Sequence, residues 1–270
     1  MAFVAGIDVG TRMTKAVVAD SSGAILAQVS VETGARLEKA AERAFEQVVH
    51  EANLTRDHVR YVAATGYGRY QVLFRQVQIT EVTCHATGAL YLFPGTRSVL
   101  DVGAMNSRAM RIAETGRVLA FRMNDKCASG AGRFLERVAR ALELELPQIG
   151  EISLRSEDPQ PISSICAVLA ESEVINHVTS GRKVEDILRG AHNSISERIV
   201  ALLRQVGIAP EVTLTGGVTK NLGMVGALEE RLQLRLNVSR RAEFAGAIGA
   251  ALLGLRRLNG RDPQSNSTSV

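Results

Sequence analysis

Residues 7–27 (IDVGTRMTKAVVADSSGAILA) and residues 100–120 (LDVGAMNSRAMRIAETGRVLA) decide the fold of this chain, because the second stretch repeats the first without a gap. Each position pairs with the position 93 further along, so that Asp8 pairs with Asp101 and Gly23 with Gly116. Each copy predicts a strand, a tight turn at a glycine, a second strand, another turn and a third strand. We therefore expect a three-stranded β-meander at the start of each of two similar halves.

The segments that follow each meander continue the repeat with helices and a further strand. Helical spacing of apolar residues, or a strand that ends in a glycine turn, is predicted for residues 37–52, 61–69, 132–142, 167–178, 184–206 and 212–221. We expect an α/β protein of two duplicated lobes, residues 1–96 and 97–258, with a ligand in the cleft between them. An apolar helix at 245–258 is expected to pack back on the first lobe, and the polar residues 259–270 to form a disordered tail.

Composition excludes several classes of protein. The 32 basic and 28 acidic residues give a net charge of only +4 without a long basic block, so nucleic acid is not an expected partner. No stretch approaches the roughly 18 uninterrupted apolar residues of a membrane span, and no leader is evident, so we expect a cytoplasmic protein without a membrane partner. Three cysteines are too few and odd in number for a disulfide framework.

Two acidic residues and several small or hydroxyl-bearing ones indicate a nucleotide site. Asp8 and Asp101 each precede a glycine turn at the end of an apolar strand, and such a pair can hold Mg²⁺, which prefers oxygen ligands. We predict that these two carboxylates are catalytic. The residues predicted to approach phosphate or base, by bare backbone, hydroxyl or cation, are Gly10, Thr11, Thr14, Lys15, Gly103, Gly216 and Gly217. An ordinary Asp-Gly hairpin and a plain strand-to-helix turn are the alternatives for the two kinds of glycine motif.

Two cysteines stand at predicted helix starts. Cys127 precedes the sequence ASGAG and a helix, while Cys166 opens another helix, and a helix N-terminus stabilises a thiolate. Their residue types are those of iron-sulfur ligands, although small buried cysteines are the common alternative. Cys84 lacks such a setting and is predicted to be a core residue, and His85 is predicted to be a helix-entry or packing residue.

The motifs GIDVGTRMTKAVV, TGYGR, LDVGAMNSRAM, LTGGV and AGAIGAALLG resemble the superfamily of actin, sugar kinases and heat-shock chaperones. That resemblance implies ribonuclease-H-like lobes that clamp Mg-ATP. The motifs around Cys127 and Cys166 resemble a narrower branch, the ATPase subunits of benzoyl-CoA reductases and the activators of 2-hydroxyacyl-CoA dehydratases. For this chain the branch implies one 4Fe-4S cluster, held by these two cysteines and shared with a second ATPase subunit.

Residues 104–107 (AMNS) favour one member of that branch. Dehydratase activators usually carry Gly-Gly-Gln-Asp in the second hairpin, whereas this sequence is similar to the shorter, D-type ATPase subunit of benzoyl-CoA reductase. The resemblance then implies ATP-driven electron transfer from ferredoxin to two benzoyl-CoA-binding subunits, with dearomatisation of benzoyl-CoA during anaerobic aromatic catabolism. The alternatives are a homodimeric dehydratase activator and a small-molecule kinase of the same fold.

Overall fold

A computed structural model of the protein describes residues 2–124, 132–162 and 167–260. The chain divides into two compact units, one of Met1–Pro94 with Phe244–Val270 and the other of Gly95–Glu243. The strands are β1 (Phe3–Val9), β2 (Met13–Ala19), β3 (Ile25–Glu32), β4 (Val59–Thr65), β5 (Val77–Gln78), β6 (Ser98–Val102), β7 (Ser107–Ile112), β8 (Val118–Met123), β9 (Val212–Thr215) and β10 (Leu236–Asn237). The α-helices are α1 (Leu37–Glu51), α2 (Glu81–Leu92), α3 (Gly132–Ala141), α4 (Ile149–Ser153), α5 (Ala167–Thr179), α6 (Val184–Val206), α7 (Leu222–Leu232) and α8 (Ala245–Leu258).

The first unit is built on a five-stranded sheet with the order β3-β2-β1-β4-β5. The strands β1, β2 and β3 pair antiparallel, and β4 pairs parallel with β1. Alternate residues of β2 enter different cores, because Ala16 and Val18 pack with residues of α1 while Val17 and Ala19 pack with residues of α8. The sheet is therefore covered on both faces, as its nearly continuous apolar strands require.

Glycines bring α8 close to its neighbours in the first unit. A Cβ on Gly6 of β1 would lie 2.0 Å from the carbonyl oxygen of Ala247, and one on Gly249 would lie 1.8 Å from that of Cys84 in α2. No side chain can occupy such spaces, so the backbones approach as closely as they do only because these residues are glycines. The small residues of α8 thus have the close-packing role that their sequence predicts.

The second unit contains a sheet with the order β10-β9-β6-β7-β8, which repeats the meander and the parallel fourth strand of the first. Its core includes Leu100 and Ala109 of the sheet, Ile195 and Leu203 of α6, and Leu228 of α7. The helix α6 is the longest described helix, with 23 residues. It supplies much of the apolar surface against which the sheet packs.

The duplication extends to the turns and to an irregularity of pairing. The pairing of β2 with β3 shifts between Val18 and Ala19, and that of β7 with β8 shifts between Arg111 and Ile112. These shifts stand at equivalent positions of the two copies, and Leu26 and Leu119 are the corresponding extra residues. The internal repeat predicted from the sequence is confirmed at the level of individual residues.

Most predicted elements are confirmed, but the predictions omit the helices α2, α4 and α7 and the short strands β5 and β10. The structure has helices at Leu37–Glu51, Gly132–Ala141 and Val184–Val206, as the apolar spacing predicts. The helix α2 was not predicted, because it is buried on several sides and has too few polar positions to show an amphipathic period. Residues 261–270 of the predicted tail lie outside the described residues.

Candidate functional site

The glycine turns of the two hairpins close in the same way. The amide of Gly10 donates to the carbonyl oxygen of Met13 at 3.2 Å, and the amide of Gly103 donates to that of Asn106 at 2.9 Å. A Cβ on Gly10 would lie 2.7 Å from the Met13 oxygen. These two amides are therefore engaged in the turns themselves, and the predicted approach of phosphate to Gly10 and Gly103 would use their missing side chains rather than their N–H groups.

Asp8 is the last residue but one of β1, the first strand of the first unit, and is buried. The residue is only 6% exposed, and its partners across the sheet are Lys15 on β2 and Thr65 on β4. A Cβ on Gly66 would lie 2.5 Å from Oδ1 of Asp8, and one on Gly246 would lie 2.6 Å from Oδ2. The carboxylate thus occupies space that two glycines leave open.

The negative charge of Asp8 has little compensation within the first unit. Among the described residues, the one ionisable side chain within 4.0 Å of Asp8 that forms a potential ion pair is His85 of α2, whose Nε2 lies 4.0 Å from Oδ2 of Asp8 and which is itself buried. That separation is too long for a hydrogen bond. A buried carboxylate without a close cation suits a bound metal ion, so the donor chemistry here fits Mg²⁺. The sequence analysis predicted a helix-entry or packing role for His85 and missed its place beside Asp8.

The other predicted residues of the first hairpin fall into two groups. Lys15 is largely buried opposite Asp8, and Thr11 is half-buried in the turn. Thr14 is fully buried, with its hydroxyl 2.9 Å from that of Thr33, and Thr33 donates to the carbonyl oxygen of Gly10 at 2.9 Å. The Thr14 hydroxyl is therefore linked through Thr33 to the backbone of the turn at Gly10. The sequence analysis predicted a contact with nucleotide for Thr14 and not this structural contact.

Asp101 occupies the equivalent place in the second unit but has a close cation. Nη1 of Arg108 lies 2.6 Å from Oδ2 of Asp101, and both side chains are almost completely buried. Oδ1 of Asp101 would lie 2.8 Å from a Cβ on Gly216, just as Oδ1 of Asp8 faces Gly66. One carboxylate oxygen is thus held by an arginine that the sequence analysis did not assign to the site.

Glycines with positive φ follow the parallel strand in both units. Gly66 has φ of 91° and Gly216 has φ of 88°, and their carbonyl oxygens accept from Arg69 at 3.0 Å and from Thr219 at 2.8 Å, respectively. Gly66 is a site residue that the sequence analysis missed, although the motif TGYGR repeats the Thr-Gly of LTGGV. A Cβ on Gly217 would meet nothing within 4 Å, so this position is open.

The second hairpin is bonded directly to the start of α3. The amide of Gly132 donates to the carbonyl oxygen of Gly103 at 2.9 Å, and the amide of Arg133 donates to that of Ala104 at 2.8 Å. These two amides belong to the first turn of the helix, where N–H groups have no partner within the helix. The turn predicted to face phosphate therefore provides the hydrogen-bond acceptors for the first two amides of α3.

The predicted cluster ligands, Cys127 and Cys166, lie outside the described residues. The chain before Cys127 is fixed at Asn124, whose amide donates to the carbonyl oxygen of Ser107 at 3.1 Å. After Cys166 the helix α5 begins at Ala167, which agrees with the predicted helix start. Asn124 and Gly132 are thus both hydrogen-bonded to the second hairpin, one at each side of its turn.

The described residues contain no further group suited to a metal cluster. Cys84 is buried in a small core, and burial raises the pKa of its thiol to about 12, so the thiol stays protonated. Across the described ranges, no group of three or more histidine, cysteine or acidic side chains is arranged to hold a metal ion. The prediction that Cys84 is a packing residue is confirmed.

A salt bridge joins the two helices that follow the cysteines. Arg137 of α3 lies 3.7 Å from Glu171 of α5, and both side chains are about half exposed. An exposed pair of this kind contributes little to the free energy of unfolding. It does show that the side chains of α3 and α5 are in contact.

The sequence profile of the BadF/BadG/BcrA/BcrD ATPase family matches residues 5–254 of the chain. The chain belongs to this family. Among relatives in it, the 2-hydroxyisocaproyl-CoA dehydratase activator of Clostridioides difficile is 35% identical over 250 residues, which are 93% of this chain and 94% of the relative. The activator of lactoyl-CoA dehydratase of Anaerotignum propionicum is 38% identical over 250 residues, covering 93% and 96%. The D-type subunit of the benzoyl-CoA reductase of Thauera aromatica is 39% identical over 267 residues, covering 95% and 94%.

Solved structures of family members have the same fold. Component A of the (R)-2-hydroxyglutaryl-CoA dehydratase of Acidaminococcus fermentans matches with a TM-score of 0.92 and 35% identity, over 96% of this chain and all of that one. The activator of the 2-hydroxyisocaproyl-CoA dehydratase of Clostridium difficile, solved with bound ADPNP, matches with a TM-score of 0.91 and 33% identity, over 99% and 100%. The predicted actin-like fold of two α/β lobes is confirmed.

The names of these relatives favour the dehydratase activator over the reductase subunit as the function to propose. The sequence favoured a subunit of benzoyl-CoA reductase, whereas most named relatives are activators of dehydratases, the alternative weighed second. Membership of an ATPase family is common to both. Within the part of the chain that the structure describes, no helix is long and apolar enough to cross a bilayer.

Proposed function

We propose that this chain is the ATP-hydrolysing activator of a 2-hydroxyacyl-CoA dehydratase, to which it delivers electrons from an iron-sulfur cluster. The observation that carries the proposal is the pair of hydrogen bonds from the first turn of α3 to the turn at Gly103, because they link a nucleotide motif to the helix that follows Cys127. The names of the relatives support the class of partner. The proposal keeps ferredoxin as the electron donor.

The nucleotide in this proposal is Mg-ATP. Asp8 is buried, lacks a close cation among the described residues and fits an Mg²⁺ ion, held directly or through water. Lys15, which pairs with Asp8 across the sheet, and the half-buried Thr11 are suited to the phosphate oxygens. A relative of the same fold binds the ATP analogue ADPNP, which supports this assignment. Transfer of phosphate to water then depends on positioning and on charge stabilisation by these groups.

The cluster in this proposal is a 4Fe-4S cluster held by Cys127 and Cys166. Such a cluster needs four thiolates, and the protonated Cys84 is unsuited to be a third ligand. Two thiolates must therefore come from a second chain, and for an activator that chain is a second copy. When bound, the cluster supplies one-electron transfer at low potential.

The chain itself supplies the coupling between nucleotide and cluster ligands. A phosphate that contacts the turn 103–106 shifts the carbonyl oxygens of Gly103 and Ala104, and these are the acceptors of the first two amides of α3. The contact between Arg137 and Glu171 extends this shift to α5, the helix after Cys166. Nucleotide state would thereby select between two arrangements of the segments that carry the cysteines.

A subunit of benzoyl-CoA reductase is the second candidate. Two observations favour it, namely the sequence AMNS at 104–107 and the 39% identity to the D-type subunit of that enzyme. In this case the second ATPase chain would be a different subunit, and two benzoyl-CoA-binding subunits would complete the assembly. The coupling described above would be the same.

Anaerobic reconstitution tests the function. We expect the purified chain to form a dimer that contains iron and sulfide, and to activate at least one of a panel of three dehydratases in the presence of Mg-ATP and reduced ferredoxin. The panel comprises the 2-hydroxyisocaproyl-CoA, lactoyl-CoA and (R)-2-hydroxyglutaryl-CoA dehydratases. An iron-free protein that activates none of them would defeat the proposal, and ATP-dependent reduction of benzoyl-CoA only with co-expressed subunits would favour the second candidate.

The substitution Asp8→Asn tests the nucleotide assignment. We expect kcat for ATP hydrolysis to fall by about 100-fold, because an amide cannot replace the charge that holds the metal ion. The matched control is Asp57→Asn, which changes an exposed aspartate of the same unit and should leave kcat unaltered. Equal rates in the two variants would show that Asp8 does not serve the bound metal.

A further inference from the structure

The exposed side of the helix α3 consists of arginines. Among the residues of Gly132–Ala141, the three that are exposed are Arg133, Arg137 and Arg140. Spacings of four and three residues place these side chains on one side of a helix. The buried residues of α3 lie on the opposite side and are Phe134, Leu135, Val138 and Ala139. We call the three arginines the arginine face of α3.

The stability of α3 does not account for this arrangement. Arg133 lies in the first turn, where the helix macrodipole disfavours a positive charge. Arg133 and Arg137 are four residues apart, Arg137 and Arg140 are three apart, and like charges at these spacings destabilise a helix. The arginine face therefore weakens the helix that carries it, which indicates a cause outside α3.

Few acidic side chains neutralise the arginine face. Arg137 lies 3.7 Å from Glu171 of α5, and both side chains are about half exposed. Arg133 and Arg140 form no ion pair with a described residue. Glu136, the acidic residue of α3, is half-buried at the border of the face. The face thus keeps a net positive charge.

The helix α1 of the first unit provides a reference for an ordinary solvated face. Its exposed charged residues include both signs, namely Glu38, Lys39, Arg43, Glu46 and Glu51. The whole chain is also nearly balanced, with 32 basic and 28 acidic residues. A helix whose exposed residues all carry one charge is therefore not a consequence of composition.

A face of one charge without a large exposed apolar side chain suits a transient partner of the opposite charge. None of the exposed large apolar residues of the described chain lies in α3. Complementary charge speeds association, and electron-transfer encounters are typically small and weak. A stably bound partner would need an apolar core in its interface, and a second copy docked here about a two-fold axis would bring arginines together. An acidic electron carrier is the partner that fits.

We propose that the arginine face of α3 is the docking site for the electron donor, an acidic ferredoxin with carboxylates around its cluster. This inference rests on the proposed function and adds to it the place at which the donor binds. The helix α3 is the first described helix after Cys127, a proposed cluster ligand. One electron then passes from the reduced ferredoxin to the oxidised cluster of this chain, and no covalent bond forms or breaks.

Charge reversal tests the arginine face. The variants are Arg140→Glu and the double variant Arg133→Glu/Arg140→Glu, and neither position loses an ion pair with a described residue. The matched control is Arg36→Glu/Lys39→Glu, which makes the same change of net charge as the double variant at two exposed residues at the start of α1. The control therefore separates the position of the charge from its amount.

The measured quantity is the second-order rate constant for reduction of the cluster in the intact protein by a reduced, acidic two-cluster ferredoxin, followed by anaerobic stopped-flow absorbance. At low salt we expect this constant to fall about fivefold in Arg140→Glu and at least about 20-fold in the double variant, with smaller differences at high salt, where charges are screened. The control should stay within about twofold of the wild type. Reduction by dithionite, which needs no docking surface, should stay within about twofold in Arg140→Glu.

The outcomes separate this inference from the proposed function. Unchanged reduction by ferredoxin in the double variant overturns the docking site while the function stands, and weaker binding of the dehydratase or a monomeric mass in that variant would then assign the face to one of those partners. A control that slows as much as the double variant, or an equal slowing with ferredoxin and dithionite, also overturns the inference. A wild type that contains no iron and accepts no electron from either reductant defeats the proposed function, and the docking site with it.

Discussion

The two units carry the same hairpin but surround its buried carboxylate differently. In the second unit Arg108 lies 2.6 Å from Asp101, whereas in the first the ionisable side chain found within 4.0 Å of Asp8, among the described residues, is that of His85, at 4.0 Å. The residue equivalent to Arg108 is Lys15, which pairs with Asp8 in the sheet. The two copies thus share their strands and turns but differ in the cation beside the buried carboxylate. This difference favours Asp8 as the carboxylate that binds a metal ion and Asp101 as part of an ion pair with Arg108.

The largest effect that we expect from this difference concerns stability. Arg108→Met leaves Asp101 buried without its cation, which typically costs about 3–5 kcal/mol, whereas Lys15→Met should cost less than about 1 kcal/mol. Peptide-resolved hydrogen exchange measures both variants, because it reports β6 and β7 separately from β1 and β2. Further replacement of Asp101 by Asn should restore most of the loss in the Arg108 variant. Equal losses for the two single variants would contradict the proposed difference between the hairpins.

A second effect distinguishes the units by pH. His192 on α6 is fully buried in the second unit, and burial, followed by the charge of Arg189, lowers the pKa of its ring from 6.5 to about 4. The unfolded chain therefore binds a proton between pH 6.5 and 4 that the folded chain does not, so stability falls as the pH falls through this window. The loss should reach about 3 kcal/mol by pH 4.

The variant His192→Leu provides the comparison for the pH effect. Urea unfolding of wild type and variant, each followed from pH 7 to pH 4, should give a stability difference that narrows toward acid. Asp186 does not confound the result, because its pKa is lowered, mainly by the amide of Asp158, and its titration falls below this window. Parallel pH profiles for the two proteins would exclude His192 as the cause.

Much of the fold was predictable because the duplication is local in sequence and regular in period. The two meanders, their glycine turns and the helices α1, α3 and α6 follow from strand alternation, turn residues and apolar spacing. The helix α2 escaped prediction because tertiary packing buries it on several sides. Its small residues, such as Gly88, serve contacts with α8 that no local pattern reveals.

The candidate site was only partly predictable. The repeat predicted Asp8 and Asp101 as site residues. It could not predict that Arg108 forms an ion pair with Asp101 while no such pair is found between Lys15 and Asp8. That distinction depends on side-chain position, which the residue types Arg108 and Lys15 do not specify. Gly66 had a readable signal in the repeated Thr-Gly, whereas the position of His85 beside Asp8 depends on how α2 packs against α8.

The smallest effect that we expect separates two adjacent glycines of the second unit. Gly216 has φ of 88°, and a Cβ there would lie 2.5 Å from the carbonyl oxygen of Val102, so Gly216→Ala should destabilise the fold. A Cβ on Gly217 would meet nothing within 4 Å, and the equivalent residue of the first unit is Tyr67. The substitution Gly217→Ala should therefore change the free energy of unfolding by less than about 0.5 kcal/mol.

If the base of the nucleotide lies against Gly217, as the sequence predicts, the same substitution should still raise the dissociation constant for ATP by about tenfold. Titration with a fluorescent ATP analogue measures that constant, and Tyr67→Ala is the matched change in the first unit. An unchanged dissociation constant in the Gly217 variant would show that Gly217 does not contact the nucleotide. Gly216 would then have a role in the turn alone.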